Sequence, residues 1–117
     1  MKHEESKLQI ACVNWFRYVY PQHKLLLFSV PNGGQRTRIN ARILKAEGTI
    51  AGVSDLILMV ARKGYHSLCI EMKIKPNKQT ENQKQWQKAV ERENNKYVVC
   101  HTFEEFEDVI NDYLEKT

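Results

Sequence analysis

Between positions 8 and 19 the apolar residues Leu8, Ala11, Cys12, Trp15, Phe16 and Val19 recur at the spacing of one helical face. The pattern predicts a helix from about His3 to Tyr20, stopped by Pro21, whose ring cannot continue it. Lys24 to Val30 is a run of Leu, Phe and Val that predicts a strand. Pro31-Asn32-Gly33-Gly34 predicts a loop, and Arg38 to Glu47 a short basic helix closed by Gly48. Asp55 to Val60 is a nearly continuous apolar run, the pattern of a strand covered on both faces. Lys63-Gly64 marks a turn, and the alternation over Ser67 to Lys73 predicts the next strand. Pro76 interrupts the chain again. Thr80-Glu81-Asn82-Gln83 has the spacing of a capping box and opens a helix through about Glu93. Lys96 to His101 predicts a last strand, and Thr102-Phe103-Glu104-Glu105 a second capping box opening a helix toward Leu114. The order helix, strand, helix, strand, strand, helix, strand, helix predicts an α/β fold with a mixed central sheet flanked by helices. At 117 residues the chain fits a single domain, 1–117.

Alternation along the strand before Pro76 sorts its residues chemically. Leu68, Ile70 and Met72 share the face expected in the core, while Glu71 and Lys73 share the other, about 7 Å apart. Folding the hairpin about Lys63 and Gly64 puts Asp55 opposite residues 71 to 73, so that Asp55 faces Glu71. A register slip of one residue would turn Asp55 away. Two facing carboxylates repel unless one is protonated or a cation lies between them. Mg²⁺ takes hard oxygen ligands, often one or two carboxylates completed by water and substrate phosphate. Such an ion activates water and neutralises charge at phosphorus, and a neighbouring lysine orients that water or adds positive charge. Asp55, Glu71 and Lys73 are therefore suited to phosphodiester hydrolysis. The competing reading makes Glu71 and Lys73 an exposed cross-strand pair and Asp55 a turn residue.

Several segments carry a family resemblance. Val30-Pro31-Asn32-Gly33-Gly34, the stretch Gly48-Thr49-Ile50-Ala51-Gly52-Val53-Ser54-Asp55-Leu56, and Ile70-Glu71-Met72-Lys73 follow one another in the order of the loop, the G-x-x-x-G-x-P-D-L motif and the E-x-K strand of the VRR-NUC (virus-type replication-repair nuclease) family. The chain resembles that family, within the PD-(D/E)xK nucleases, over nearly its whole length. The resemblance implies a restriction-endonuclease-like core and a DNA endonuclease dependent on Mg²⁺ or Mn²⁺. Asp55, Glu71 and the Met72 backbone carbonyl would bind the metal, and Lys73 would assist the attacking water. Glu5 resembles the acidic residue of the family's first helix and is preferred to Glu4. Gln83 matches a family glutamine that binds phosphate or holds Lys73; read without the family, it is the third residue of a capping box. The family's stand-alone members are symmetric homodimers that act on branched DNA such as Holliday junctions. Ser54 departs from the pattern, standing where the family usually has proline. Proline fixes backbone shape and ligates nothing, so the chemistry is expected to survive. The alternative is a nucleic-acid-binding module that kept the fold and lost efficient cleavage.

Charge and composition add less. Lys and Arg number 18 against 14 Asp and Glu, a net charge of +4, which suits a polyanionic partner without requiring one. Asn32, Gly33, Gly34, Arg36, Arg38 and Arg42, followed later by Lys75 and Lys78, are the candidate DNA-phosphate contacts. Cys12, Cys69 and Cys100 are too widely spaced for a zinc site and are expected to be small core residues. His3, His23, His66 and His101 have no metal-ligand spacing. With no apolar run of membrane length, no signal-peptide pattern and no small-molecule cofactor motif, the expectation is a soluble cytoplasmic protein of a bacterial or phage-infected cell.

Overall fold

The computed structural model describes residues 3–31 and 38–115, with the backbone alone for Arg38 and Ile39. The elements are α1 (His3–Val19), β1 (Leu27–Ser29), α2 (Arg38–Ala46), β2 (Leu56–Leu58), β3 (Leu68–Met72), α3 (Glu81–Arg92), β4 (Lys96–Cys100) and α4 (Phe103–Leu114). The sheet is mixed, in the order β1-β2-β3-β4. Its first two pairings are antiparallel, and β3–β4 is parallel, with α3 as the crossover. No helix among the described residues is long and apolar enough to cross a membrane.

One face of the sheet carries the core. Leu27, Leu56, Leu58, Leu68, Ile70, Met72 and Cys100 pack with Cys12 and Phe16 of α1 and with Phe106, Ile110 and Tyr113 of α4. Trp15 seals the α1–α4 seam, meeting Phe103 and Phe106 edge-on at 6.2 and 6.0 Å. The helical stripe predicted for α1 is displaced: Ala11 and Val19 face solvent, and Val13 and Tyr20 join the packing instead. All three cysteines are buried.

Both short strands fall inside longer apolar runs. Pro21 starts a 3-10 turn, Pro21–His23, and the chain keeps turning through residues 24–26, so the first strand begins only at Leu27 and Leu25 is left 86% exposed. The second run is covered over only part of its length, since Met59 is 62% exposed. β3 departs in the other direction: all five of its residues are buried, and Gln83 of α3 and Tyr97 of β4 close over Glu71.

The β2–β3 hairpin contains the offset on which the site depends. Lys63 and Gly64 both have positive φ, 54° and 85°, in a two-residue turn closed by mutual Arg62–Tyr65 backbone bonds. Between that bridge and the Leu58–Leu68 pair lie Met59, Val60 and Ala61 on one side, but only His66 and Ser67 on the other. The extra residue acts as a bulge. Propagated unchanged, the turn register would put Asp55 opposite Met72, on the wrong face. The offset instead continues the Leu56–Ile70 pair to Asp55 opposite Glu71.

The loop from α2 to β2 is fixed at two glycines. Gly48 (φ 113°) ends α2, with Gly48 N–H donating to Lys45 O and Thr49 N–H to Leu44 O. Gly52 (φ 91°) lies against the first turn of α3, where a Cβ would sit 2.5 Å from the Asn82 carbonyl carbon and oxygen. A side chain at Gly48 would meet only open space. Gly48→Ala is expected to lose about 1–2 kcal/mol through its backbone conformation. Gly52→Ala adds a backbone clash and should lose about 3 kcal/mol or more. Urea unfolding of the two variants tests this ranking; equal losses would show that the Gly52–Asn82 approach carries no constraint.

Candidate active site

The carboxyl ends of β1 and β3 and the beginning of β2 meet under the first turns of α1. There Glu5, Gln9, Ser29, Val30, Pro31, Asp55, Glu71, Lys73 and Gln83 line a cleft of about 390 Å³. The sequence candidates Asp55, Glu71, Lys73, Gln83 and Glu5 are thus brought together from β2, β3, α3 and α1.

Asp55 is half-buried at the entry to β2. Its carbonyl accepts from Val30 N–H at 3.0 Å, extending the β1–β2 ladder, and its Oδ2 accepts from Met72 N–H at 2.7 Å. Ser54, fully buried, donates its hydroxyl to Leu56 O at 3.0 Å, so a side-chain bond fastens the approach where the family usually has a proline ring. Glu71 is 1% exposed, which removes the reading of an open cross-strand pair. Its Oε2 accepts from Gln83 Nε2 at 2.8 Å, and its Oε1 from the Tyr97 hydroxyl at 3.4 Å. Gln83 also completes the α3 capping box: its Oε1 accepts from Thr80 N–H, and its own N–H donates to Thr80 Oγ1. Gln83 therefore fills the capping-box role, and its side-chain amide bonds Glu71 instead of the expected Lys73.

Lys73 lies beside the pair. Its N–H donates to Cys100 O at 3.0 Å, and His101 Nδ1 donates to its carbonyl at 2.8 Å, fixing the backbone from which the ammonium projects. Glu5 is 7% exposed, whereas Glu4 is in solvent. Glu5 Oε2 accepts from Ile74 N–H at 3.2 Å and Asn77 Nδ2 at 3.1 Å, which ties α1 to the segment leaving β3. Gln9, one turn further along α1, has a buried Oε1 without a hydrogen-bond partner.

The two carboxyl groups perturb each other. Burial, then the Asp55 charge and a hydrogen bond between the two groups, push Glu71 up to about 8, with Lys73 and Tyr97 acting in the opposite direction. Burial also raises Asp55, opposed by the Met72 N–H and the bond from Glu71. Near neutrality the bare pair therefore retains a proton, placed on Glu71 and shared with Asp55. Hard oxygens competing for one proton are the donor set a small divalent cation replaces it at. No group of three or more His, Cys, Asp or Glu among the described residues could hold a metal ion, so two carboxylates, completed by backbone oxygen and water, are what the fold offers.

Other candidates lie elsewhere. Arg42, Lys75 and Lys78 are exposed and do not line the cleft. Asn32, Gly33, Gly34 and Arg36, with the side chain of Arg38, lie outside the described residues; Pro31, on the cleft wall, leads into that segment. Tyr97 and Gln79 carry no signal in the sequence reading. Tyr97 shares the Glu71 face through a parallel pairing, which no hairpin count reaches. Gln9 follows Glu5 by one helical turn, a spacing that was available.

The model of the VRR-NUC domain matches residues 1–104. A solved structure described as a VRR_NUC domain protein superimposes with a TM-score of 0.84 at 25% identity, covering 98% of this chain and 91% of that one. No curated protein matches.

The raised Glu71 sets a pH dependence for the metal-free protein. Below its ordinary value of 4.5 both folded and unfolded chains hold the proton, and nothing is lost. Between there and about 8 only the folded chain holds it, so unfolding releases a proton and rising pH favours unfolding. In chelator, the thermal midpoint should therefore fall from pH 5 to pH 8, and Glu71→Gln should flatten the fall. Parallel slopes for wild type and Glu71→Gln would show that the pair does not share a proton.

Proposed function

This chain belongs to the VRR-NUC domain family, a nuclease-type domain, and from that premise we propose that it is a Mg²⁺- or Mn²⁺-dependent DNA endonuclease. Its proposed substrate is branched DNA such as a Holliday junction, and its working form a homodimer. The observation that carries the reading is the pair of half-buried Asp55 and buried Glu71 beside Lys73 in a cleft.

Asp55 and Glu71, with the Met72 carbonyl, are the proposed ligands of the cation. When bound, the cation supplies a water of lowered pKa and positive charge against the developing phosphorane. Met72 N–H holds Asp55, and Gln83 holds Glu71, so both carboxylates are oriented before anything binds. Lys73 directs its ammonium at the attacking water or at a non-bridging phosphate oxygen, where negative charge grows. Glu5 closes the α1 side of the cleft and would help hold the cation there through water. Arg36, Arg38, Arg42, Lys75 and Lys78, with Asn32, Gly33 and Gly34, are the proposed phosphate contacts, which position the duplex without reading sequence. Two cuts on opposed strands require two sites related by a two-fold axis, which is the reason for a homodimer. The Ser54–Leu56 bond favours an active enzyme over a binding-only module, because the strand entry that presents Asp55 is held without proline.

A labelled four-way junction incubated with Mg²⁺ or Mn²⁺ should be cut, and chelator should stop the cutting. Asp55→Asn, Glu71→Ala and Lys73→Ala should each lower the rate about a hundredfold or more while junction binding persists in gel shift. Undiminished cutting by all three variants would remove the site assignment. Equal cutting of linear duplex would remove the preference for branched DNA and leave the nuclease.

A further inference from the structure

Glu71 meets protein donors at both carboxylate oxygens, and one of them is Gln83. The other, Tyr97, is 7% exposed on β4. Parallel pairing of Cys69 with Tyr97 and of Glu71 with Val99 puts the Tyr97 ring on the Glu71 face, between the sheet and α3. The ring meets Trp86 of α3 at 6.2 Å and an angle of 61°. Its hydroxyl accepts from Gln79 Nε2 at 3.2 Å, and Gln79 Nε2 also donates to Gln87 Oε1 at 2.9 Å. Gln79 thus occupies an acceptor position of the hydroxyl, and the tyrosine proton is left for Glu71 Oε1 at 3.4 Å.

We propose that Tyr97, oriented by Gln79, is a positioning residue for the cation-binding carboxylate of Glu71. Tyr97 at Oε1 and Gln83 at Oε2 hold the carboxylate plane from the α3 side, which leaves the side toward Asp55 for the cation. Outer-sphere bonds of this kind fix ligand orientation, and their loss typically costs about 10–100-fold in metal affinity. The inference rests on the nuclease reading, but its primary readout, cation binding, does not require cleavage.

The test is calorimetric titration of Mn²⁺ into the metal-free full chain. Tyr97→Phe keeps the ring against Trp86 and removes only the hydroxyl. It is expected to weaken Mn²⁺ binding about tenfold or more, and to raise by the same factor the Mn²⁺ needed for half-maximal junction cutting, with the saturating rate retained. Gln79→Leu should weaken binding in the same direction by less. Val98→Ala, a core change beside Tyr97, should lower the thermal midpoint and leave Mn²⁺ affinity unchanged. A Tyr97→Phe protein that is less stable yet binds Mn²⁺ like wild type would reduce Tyr97 to a packing residue and overturn the proposal. Wild type that binds Mn²⁺ without cutting would take down the nuclease reading alone, the affinity difference still supporting Tyr97. Wild type that binds no Mn²⁺ would overturn both.

Discussion

Two carboxyl groups, Asp55 and Glu71, are held opposite each other inside the sheet. Without a cation they remain there only by keeping a proton that an ordinary glutamate would have released. This placement works against folding, and the surrounding structure is arranged to impose it. The extra residue in Met59–Ala61 turns Asp55 onto the Glu71 face. Ser54 fastens the start of β2, and Met72 N–H fixes Asp55 Oδ2. Gly52 lets the approaching loop lie against α3, the helix that presents Gln83 to Glu71. A buried like-charge pair costs stability until a cation or proton intervenes. Local conflict of this kind gathers where a protein does chemistry rather than where it packs.

The two faces of the sheet divide the labour. The α1–α4 face is apolar and closely packed, a rigid base for strand ends that carry charged groups. The α3 face is polar and hydrogen-bonded: Gln83 and Tyr97 donate to Glu71, and Gln79 bonds both the Tyr97 hydroxyl and Gln87. That explains why α3 contributes no fully buried residue although it covers the sheet. Its role is to supply oriented donors. Glu5 gives α1 a matching role at its first turn, where its bonds to Ile74 and Asn77 join the core helix to the rim of the cleft.

Element types and order were readable from periodicity and caps because both are local. The α3 capping box forms with both of its bonds. The Thr102 cap is modified, with Glu105 reaching the His101 N–H instead of the cap residue's own. Strand lengths were over-read at Lys24–Val30 and Asp55–Val60, since an apolar run records hydrophobicity and not ladder pairing. Counting back from Lys63-Gly64 brings Asp55 within one residue of Glu71, but the three-against-two offset that moves it from Met72 to Glu71 is a tertiary feature. Tyr97 was out of reach for a related reason. A parallel register is set by how the crossover helix docks, and sequence offers no turn from which to count it.

The central claim is that Asp55 and Glu71 exchange their shared proton for a divalent cation. A crystal structure grown with Mn²⁺ at pH 8, with the ion located by anomalous scattering, tests it most directly. The account predicts a peak between the two carboxylates, with Gln83 and Tyr97 still bonded to Glu71. Asp55 and Glu71 remaining bonded to each other at saturating Mn²⁺, with the ion elsewhere or absent, would contradict it.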